Sequence, residues 1–402
     1  MKKKIISILD RYIDDKDISG ASVLIYKDGK EYLRVDRGLA DIKEKIPYSS
    51  DTIIRLFSMS KPITSAAAMI LIERGLLDRL DPVSDYISTF SDQYYYDESG
   101  NKLPVSRPVT IGDLLDMTAG LSYPDKSSST GKETDTVFAD IEKHLDTPKE
   151  MTTLDVAEAL GRSTLAFDPG TGFLYSSCAD VLGAVIEKVS GMKFSLFLEK
   201  ELFSPLDMKD TAFYVAPEKQ NRLARSYVPS SHAGNLAENE QPVSDDDFHE
   251  YLGSYLGIKS RMKTPNAFES GGAGLASTLE DYMKFALMLL NGGSTPSGIR
   301  LLSPETVSFM TQRLSSERTK KAFLEAFDLK GFCYSNLLRI GSDPGLCDTL
   351  MSPGEYGWDG WLGPYFANFP QKKATLLIAI QRTNSGTYSL TRRIRNVVLS
   401  EI

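Results

Sequence analysis

The sequence predicts an α+β fold, an α/β sandwich in which strands from both chain ends form one antiparallel sheet flanked by helices, with a mainly helical domain inserted between them. Three observations predict it. Strand-like runs occupy both ends, ASVLIYKDGKEYLRVDRG near the start and GPYFANF and ATLLIAIQ near the end. Helical segments and turns dominate from about 80 to 210, and 402 residues exceed the usual size of one domain. The expected division puts 1–80 and 215–402 in the sheet domain and 81–214 in the helical one, with the functional site at their interface.

The elements follow in order. Ile5, Ile6, Leu9 and Tyr12 stand at helical spacing over residues 1–16, and Gly20 breaks the pattern. The next segment reads as a hairpin turning at Lys27-Asp28-Gly29. A helix is expected from Ser58 to Arg74, closed by Gly75. Its middle, SAAAMILI, is apolar on every side, so the helix should be buried all round. Further helices are expected at LLDMTAGL, at 177–190 ended by Gly191, and at 194–203. Polar stretches at 126–136 (KSSSTGKETDT) and 229–250 read as surface loops or lids. A helix over Leu279–Asn291 follows GGAGLAST, and a last one runs from Ser389 to Leu399.

Composition narrows the function classes. The shares of hydrophobic (41%), aromatic (10%) and charged (25%) residues are those of an ordinary globular protein, and a net charge of -8 argues against a nucleic-acid partner. No window supplies the roughly 20 apolar residues of a membrane-spanning helix. The opening MKKKIISILDRYIDDKD has the charged end of a secretory signal, but its apolar run from Ile5 to Leu9 stops at Asp10, so a cytoplasmic location is expected. Cys178, Cys333 and Cys347 are odd in number and lack CxxC or Cys/His spacing, so reduced thiols and no metal site are expected. Asp245-Asp246-Asp247 reads as a solvated run, and no cofactor motif is present.

Ser-x-x-Lys is a recurrent pattern here, found among other places at Ser58/Lys61, Ser129/Lys132, Ser190/Lys193 and Ser260/Lys263. In most settings such a serine is a helix cap and such a lysine a solvated charge. Ser58 differs because it opens the apolar helix, where a step of three stacks Lys61 on the same face. A desolvated lysine has a lowered pKa and as a neutral amine can take the serine proton. The helix start also offers the Ser58 backbone N–H to a developing oxyanion.

The run FSMSKPITSAAAMILIERGLLDRLDPVSDYI resembles the nucleophile helix of the class C β-lactamase, penicillin-binding-protein and family VIII carboxylesterase superfamily. Similar segments recur in order as LLDMTAGL, FDPGTGFLYSSCADVLGAVIEKVSG, LFSPLDMKDTAF, GGAGLASTLEDYMKFALMLLNGG and YGWDGWLGPYF, spanning nearly the whole chain. The resemblance implies Ser58 as nucleophile, Lys61 and Tyr175 as proton carriers, and a Tyr175 phenol whose pKa Lys61 lowers. The Tyr-x-Asn motif becomes Tyr175-Ser176-Ser177, and the Lys/His-Thr-Gly motif becomes Trp358-Asp359-Gly360. Trp361 then stands where the second oxyanion N–H is supplied. Ser177, Trp358, Asp359, Gly360 and Arg382 are the implied pocket. Losing the asparagine and the cation points to small uncharged esters, whereas Arg382 could anchor a carboxylate and keeps a β-lactamase or D-Ala-D-Ala-type peptidase as the alternative.

Rival chemistries lack their residues. No Gly-x-Ser-x-Gly elbow occurs, and His144, His232 and His249 lie in polar stretches that read as exposed. A catalytically silent binding protein of the same fold would have no use for a buried Lys61 beside Ser58. The expected partner is therefore a small-molecule ester or lactam.

Overall fold

The computed structural model of the protein describes residues 1–229, 240–242, 248–313, 315–386 and 388–402, with 240–242 described by backbone alone. Its main sheet has eight strands. The N-terminal segment gives β1 (Gly20–Lys27), β2 (Lys30–Asp41) and β3 (Ile46–Pro47). The C-terminal segment gives β4 (Phe332–Ser335), β5 (Leu338–Gly341), β6 (Tyr356–Asp359), β7 (Tyr365–Phe369) and β8 (Ala374–Ala379). The order is β4-β5-β6-β7-β8-β1-β2-β3, antiparallel throughout. The two chain ends meet at the β1/β8 seam, where Val23 faces Ile378 and Ile25 faces Leu376. The β1–β2 hairpin turns at Asp28 and Gly29, whose φ of +51° and +74° match the primed turn that an Asp-Gly pair favours.

The helices are α1 (Lys2–Asp14), α2 (Ser60–Glu73), α3 (Ile111–Asp116), α4 (Ser129–His144), α5 (Thr153–Gly161), α6 (Cys178–Ser190), α7 (Phe194–Leu198), α8 (Leu279–Leu290), α9 (Pro304–Gln312), α10 (Glu317–Phe327) and α11 (Ser389–Glu401). The pleat sorts the sheet residues between two layers. Val23, Ile25, Leu376 and Ile378 pack on α1 and α11 through Ile5, Leu9, Ile394 and Val398. Leu24, Phe366 and Leu377 belong to the larger core that holds α2, α6 and α8. The chain from α3 to α7, between the two sets of strands, is mainly helical, and a short ribbon pairing Tyr94–Tyr96 with Lys102–Pro104 precedes it.

Helix α2 is buried from Ser60 to Leu71, as a helix apolar on every side must be. It begins at Ser60 rather than Ser58, because Phe57–Met59 form a 3₁₀ turn in front of it. Helix α6 ends in left-handed Gly191, and α7 runs on into a π turn over Glu199–Phe203.

Two polar segments differ from the expectation of loops. Residues 129–136 open α4. Ser128 caps it by accepting from the Gly131 N–H, and Thr130, Gly131, Thr134, Phe138 and Ile141 form its buried face. Small Ser, Thr and Gly residues on that face hid the helical period. In the second segment Tyr227–Pro229 pairs with Phe248–Tyr251, which pairs with Glu240–Pro242. Residues 230–239 and 243–247, with His232 and Asp245-Asp246-Asp247, lie outside the described residues. Among the described residues no helix is long and apolar enough to cross a membrane. The three cysteines are unpaired, with Cys178 and Cys333 buried.

Candidate active site

The turn that carries Ser58 is strained. Phe57 adopts a φ of +45°, a conformation that costs a bulky residue on the order of 1–3 kcal/mol and persists only where packing enforces it. Its ring packs on Trp361 at 5.1 Å and on Tyr255 at 6.2 Å. Lys61, in the first turn of α2, is wholly buried. Its Nζ donates to Ser58 Oγ (3.1 Å), Tyr123 Oη (2.9 Å) and the Gly272 carbonyl oxygen (2.8 Å). Burial lowers the lysine pKa to about 7, with Asp180 and then Cys178 opposing. Near neutral pH a large share is therefore the amine. Gly272 O can only accept, so the amine lone pair faces a hydroxyl, that of Ser58 or of Tyr123.

Asp180, buried on α6, accepts from Ser270 Oγ (2.5 Å) and the Gly272 N–H (3.0 Å). It thus holds the loop whose carbonyl holds Lys61. A methyl on Gly271 would stand 2.3 Å from the Ala179 carbonyl oxygen, so the glycine pair lets this loop press against α6.

Tyr175 stands on the other side of Ser58. Its hydroxyl accepts from Trp358 Nε1 at 2.8 Å and has Ser58 as its other hydrogen-bonding neighbour. Lys61 Nζ lies over its ring, 4.7 Å from the centroid. The expectation that Lys61 lowers the phenol pKa is overturned. Burial pushes Tyr175 up, because the group that faces Lys61 is the ring, and the hydroxyl sits among aromatic neighbours. The phenol therefore stays protonated while Lys61 titrates.

Strand β6 brings the turn 360–363 against Ser58. A methyl on Gly360 would lie 2.3 Å from the Leu56 carbonyl oxygen. Among the described residues neither the Ser58 nor the Trp361 backbone N–H has an acceptor, which leaves both for an oxyanion. The Trp361 side chain lines a cavity of about 410 Å³ with Phe138, Tyr251 and Tyr255, and with Asp135 and Glu142 from α4. Asn384 Oδ1 fixes the indole by accepting from its Nε1 at 2.8 Å.

A model of the beta-lactamase family matches residues 5–399. The chain belongs to the beta-lactamase family. Protein Rv1367c of Mycobacterium tuberculosis is 31% identical over 90% of this chain and 86% of its own length. Esterase EstB of Burkholderia gladioli is 27% identical over 98% of this chain and 93% of its own. Among solved structures, EstCE1, described as a hydrolase with promiscuous acyltransferase activity, superposes with a TM-score of 0.77 at 24% identity, over 98% of this chain and 97% of that one. That likeness agrees with the α+β fold.

The other residues implied by the family resemblance fall in different places. Ser177 is buried at the start of α6 and donates to the Ser122 carbonyl (3.1 Å), tying down the segment before Tyr123. Trp358 is buried among Tyr334, Phe327 and Phe323 and reaches the site through Tyr175, by its N–H to the hydroxyl and by ring packing at 5.4 Å. Asp359 points to Arg339 (3.7 Å), and burial raises its carboxyl to about 6. Arg382 is not a carboxylate anchor, since its guanidinium is bound to Asp17 Oδ1 (2.9 Å) and to Ser385 Oγ and the Thr383 carbonyl. His144 and His249 are half-buried rather than exposed, His144 on α4 beside Asp140 and His249 on Phe248–Tyr251. Sequence reasoning missed Tyr123, Asp180 and Gly272. The available signals were the tyrosine just past LLDMTAGL and the double glycine in GGAGLAST.

Proposed function

We propose that the chain is a serine carboxylesterase that works through an acyl-enzyme on Ser58. The observation that carries the reading is the buried Lys61 Nζ, 3.1 Å from Ser58 Oγ with a pKa brought to about 7. Lys61 as the amine takes the Ser58 proton while Oγ bonds to the ester carbonyl carbon. The Ser58 and Trp361 N–H groups hold the oxyanion. Tyr175, kept a neutral phenol, gives its proton to the departing alkoxide. The proton that Lys61 took from Ser58 then passes to the phenolate by way of the departing alcohol or the entering water, restoring the amine and the phenol. Water then attacks the acyl-enzyme, the Lys61 amine takes its proton and returns it to Ser58 Oγ as the acyl carbon–Oγ bond breaks, and the acid leaves. Asp180 and Trp358 position Lys61 and Tyr175.

Small esters are favoured over β-lactams or D-Ala-D-Ala termini for three reasons. Arg382 is withdrawn to Asp17, Ser177 is turned to Ser122, and buried Trp358 replaces a cation. Relatives named as esterases, EstB and the lovastatin esterase of Penicillium rubens, support the same class. The site lies between residues of the proposed sheet domain (1–80, 215–402) and of the helical domain (81–214), and a cytoplasmic location goes with this reading. Side-by-side rates on p-nitrophenyl butyrate, nitrocefin and a D-alanyl peptide, with Ser58→Ala as control, test it. Fast Ser58-dependent ester turnover is expected. Benzylpenicillin or nitrocefin outpacing the ester would overturn the substrate class.

A further inference from the structure

We propose that the ester substrate carries a positively charged group, a quaternary or protonated amine, seated in the aromatic cavity beside Ser58. The inference rests on the esterase reading and replaces an uncharged substrate with a cationic one.

The cavity adjoins neighbours of the nucleophile through two lining residues, Trp361 and Pro124. Trp361 lines the wall, packs on Phe57, the residue before Ser58, and carries the backbone N–H proposed as the second oxyanion donor. Pro124, also on the wall, follows Tyr123, whose hydroxyl is bound to Lys61. This cavity of about 410 Å³ is therefore placed to take a substituent of an ester held at Ser58.

The wall has the chemistry of a cation site. Trp361 is flanked by Tyr255, stacked at 4.4 Å, and by Tyr251, edge-on at 5.5 Å, so three electron-rich rings meet at one corner. Such rings attract a cation within about 6 Å of their centroids. Asp135 and Glu142, on α4, add two carboxylates to the same wall. Burial raises the Glu142 carboxyl, with Ser254 and the Gly257 N–H opposing as hydrogen-bonding neighbours, and a cation in the cavity would favour its ionised form. Among the described residues no Lys or Arg lines the cavity. An anionic group would face two acidic side chains with no lining cation among the described residues, and the chain's net charge of -8 adds to the bias. A neutral acyl group would leave the carboxylates unused.

Kinetics of the full chain on two matched pairs test this. In the first, choline butyrate is set against its isostere with a quaternary carbon in place of the nitrogen, which puts the charge on the alcohol. In the second, phenyl betaine ester is set against its carbon isostere, which puts the charge on the acyl side. Each rate is normalised to hydroxide hydrolysis of the same ester. The expected result is a normalised kcat/KM about tenfold or more higher for the cation in one pair. That ratio should fall with added salt and in the Asp135→Asn/Glu142→Gln double variant. Equal normalised rates in both pairs, with Ser58-dependent turnover of all four esters, would overturn the cation inference and leave the esterase reading intact. A preference that survives the double variant would overturn the role of the two carboxylates. Absence of Ser58-dependent turnover of these four esters and of p-nitrophenyl butyrate would instead overturn the esterase reading.

Discussion

The Trp358 indole N–H donates to the Tyr175 hydroxyl at 2.8 Å, and this bond orients the phenol proton toward Ser58. A phenol oxygen has one hydrogen; with the indole supplying a donor from one side, that hydrogen is left for the reacting side. Trp358→Phe keeps an aromatic ring against Tyr334 and Phe327 and removes the donor. Ester kcat should fall about tenfold, the upper range for one hydrogen bond, with KM little changed. Loss of thermal stability with an unaltered kcat would reduce Trp358 to a core residue.

Lys61 sets the pH dependence. Below its pKa the side chain is ammonium and cannot accept the Ser58 proton; above it the amine can. Since burial brings that pKa to about 7, ester kcat/KM should rise with pH through a midpoint near 7 and then level. Tyr175, pushed up by its own burial, adds no second ionisation in that range. A profile already flat from about pH 5 to 8 would remove Lys61 as base.

Substituting the two proton carriers separates them. Lys61→Ala and Tyr175→Phe should each lower kcat by about 100-fold or more, the scale of general acid–base catalysis. Tyr175→Phe should keep the midpoint near 7 on a lower plateau, whereas Lys61→Ala should abolish that limb of the profile. A wild-type rate in either variant removes that residue from the mechanism.

Asp180 opposes the burial of Lys61 by its negative charge. Asp180→Asn keeps an acceptor for the Gly272 N–H and removes the charge, so the kinetic midpoint should move to lower pH. An unmoved midpoint in a folded, active variant would mean that Asp180 acts on the loop alone.

Gly360 has no room for a side chain, with the Leu56 carbonyl oxygen 2.3 Å from where a Cβ would sit. Gly360→Ala should displace the 360–363 turn, costing about 1–3 kcal/mol of stability. It should also lower ester kcat at least tenfold, as expected when an oxyanion donor moves. Full activity would place the second oxyanion donor elsewhere than Trp361.

Much of this was legible in the sequence where local signals carry the structure. The β1–β2 hairpin was set by Asp28-Gly29, α2 by an apolar run with no polar face, and the C-terminal end of α6 by Gly191. The contact between Ser58 and Lys61 follows from a spacing of three residues at the start of a buried helix. What stayed hidden depends on contacts distant in sequence. Tyr123 reaches Lys61 across 62 positions and Asp180 reaches Gly272 across 92, with no local pattern to mark either. Arg382 stands just past β8 where a pocket residue could be, and only the fold reveals Asp17, 365 positions away, as its partner. Tyr175 was assigned a lowered pKa by its nearness to Lys61, but orientation decided the sign, because the ring and not the hydroxyl faces the amine.

Mass spectrometry of the protein quenched during turnover of p-nitrophenyl butyrate tests the central claim most directly. The account requires one butyryl group on the peptide that holds Ser58, accumulating faster as pH rises through 7 and absent from Ser58→Ala. A butyryl group on another residue, or undiminished turnover by Ser58→Ala, would contradict it.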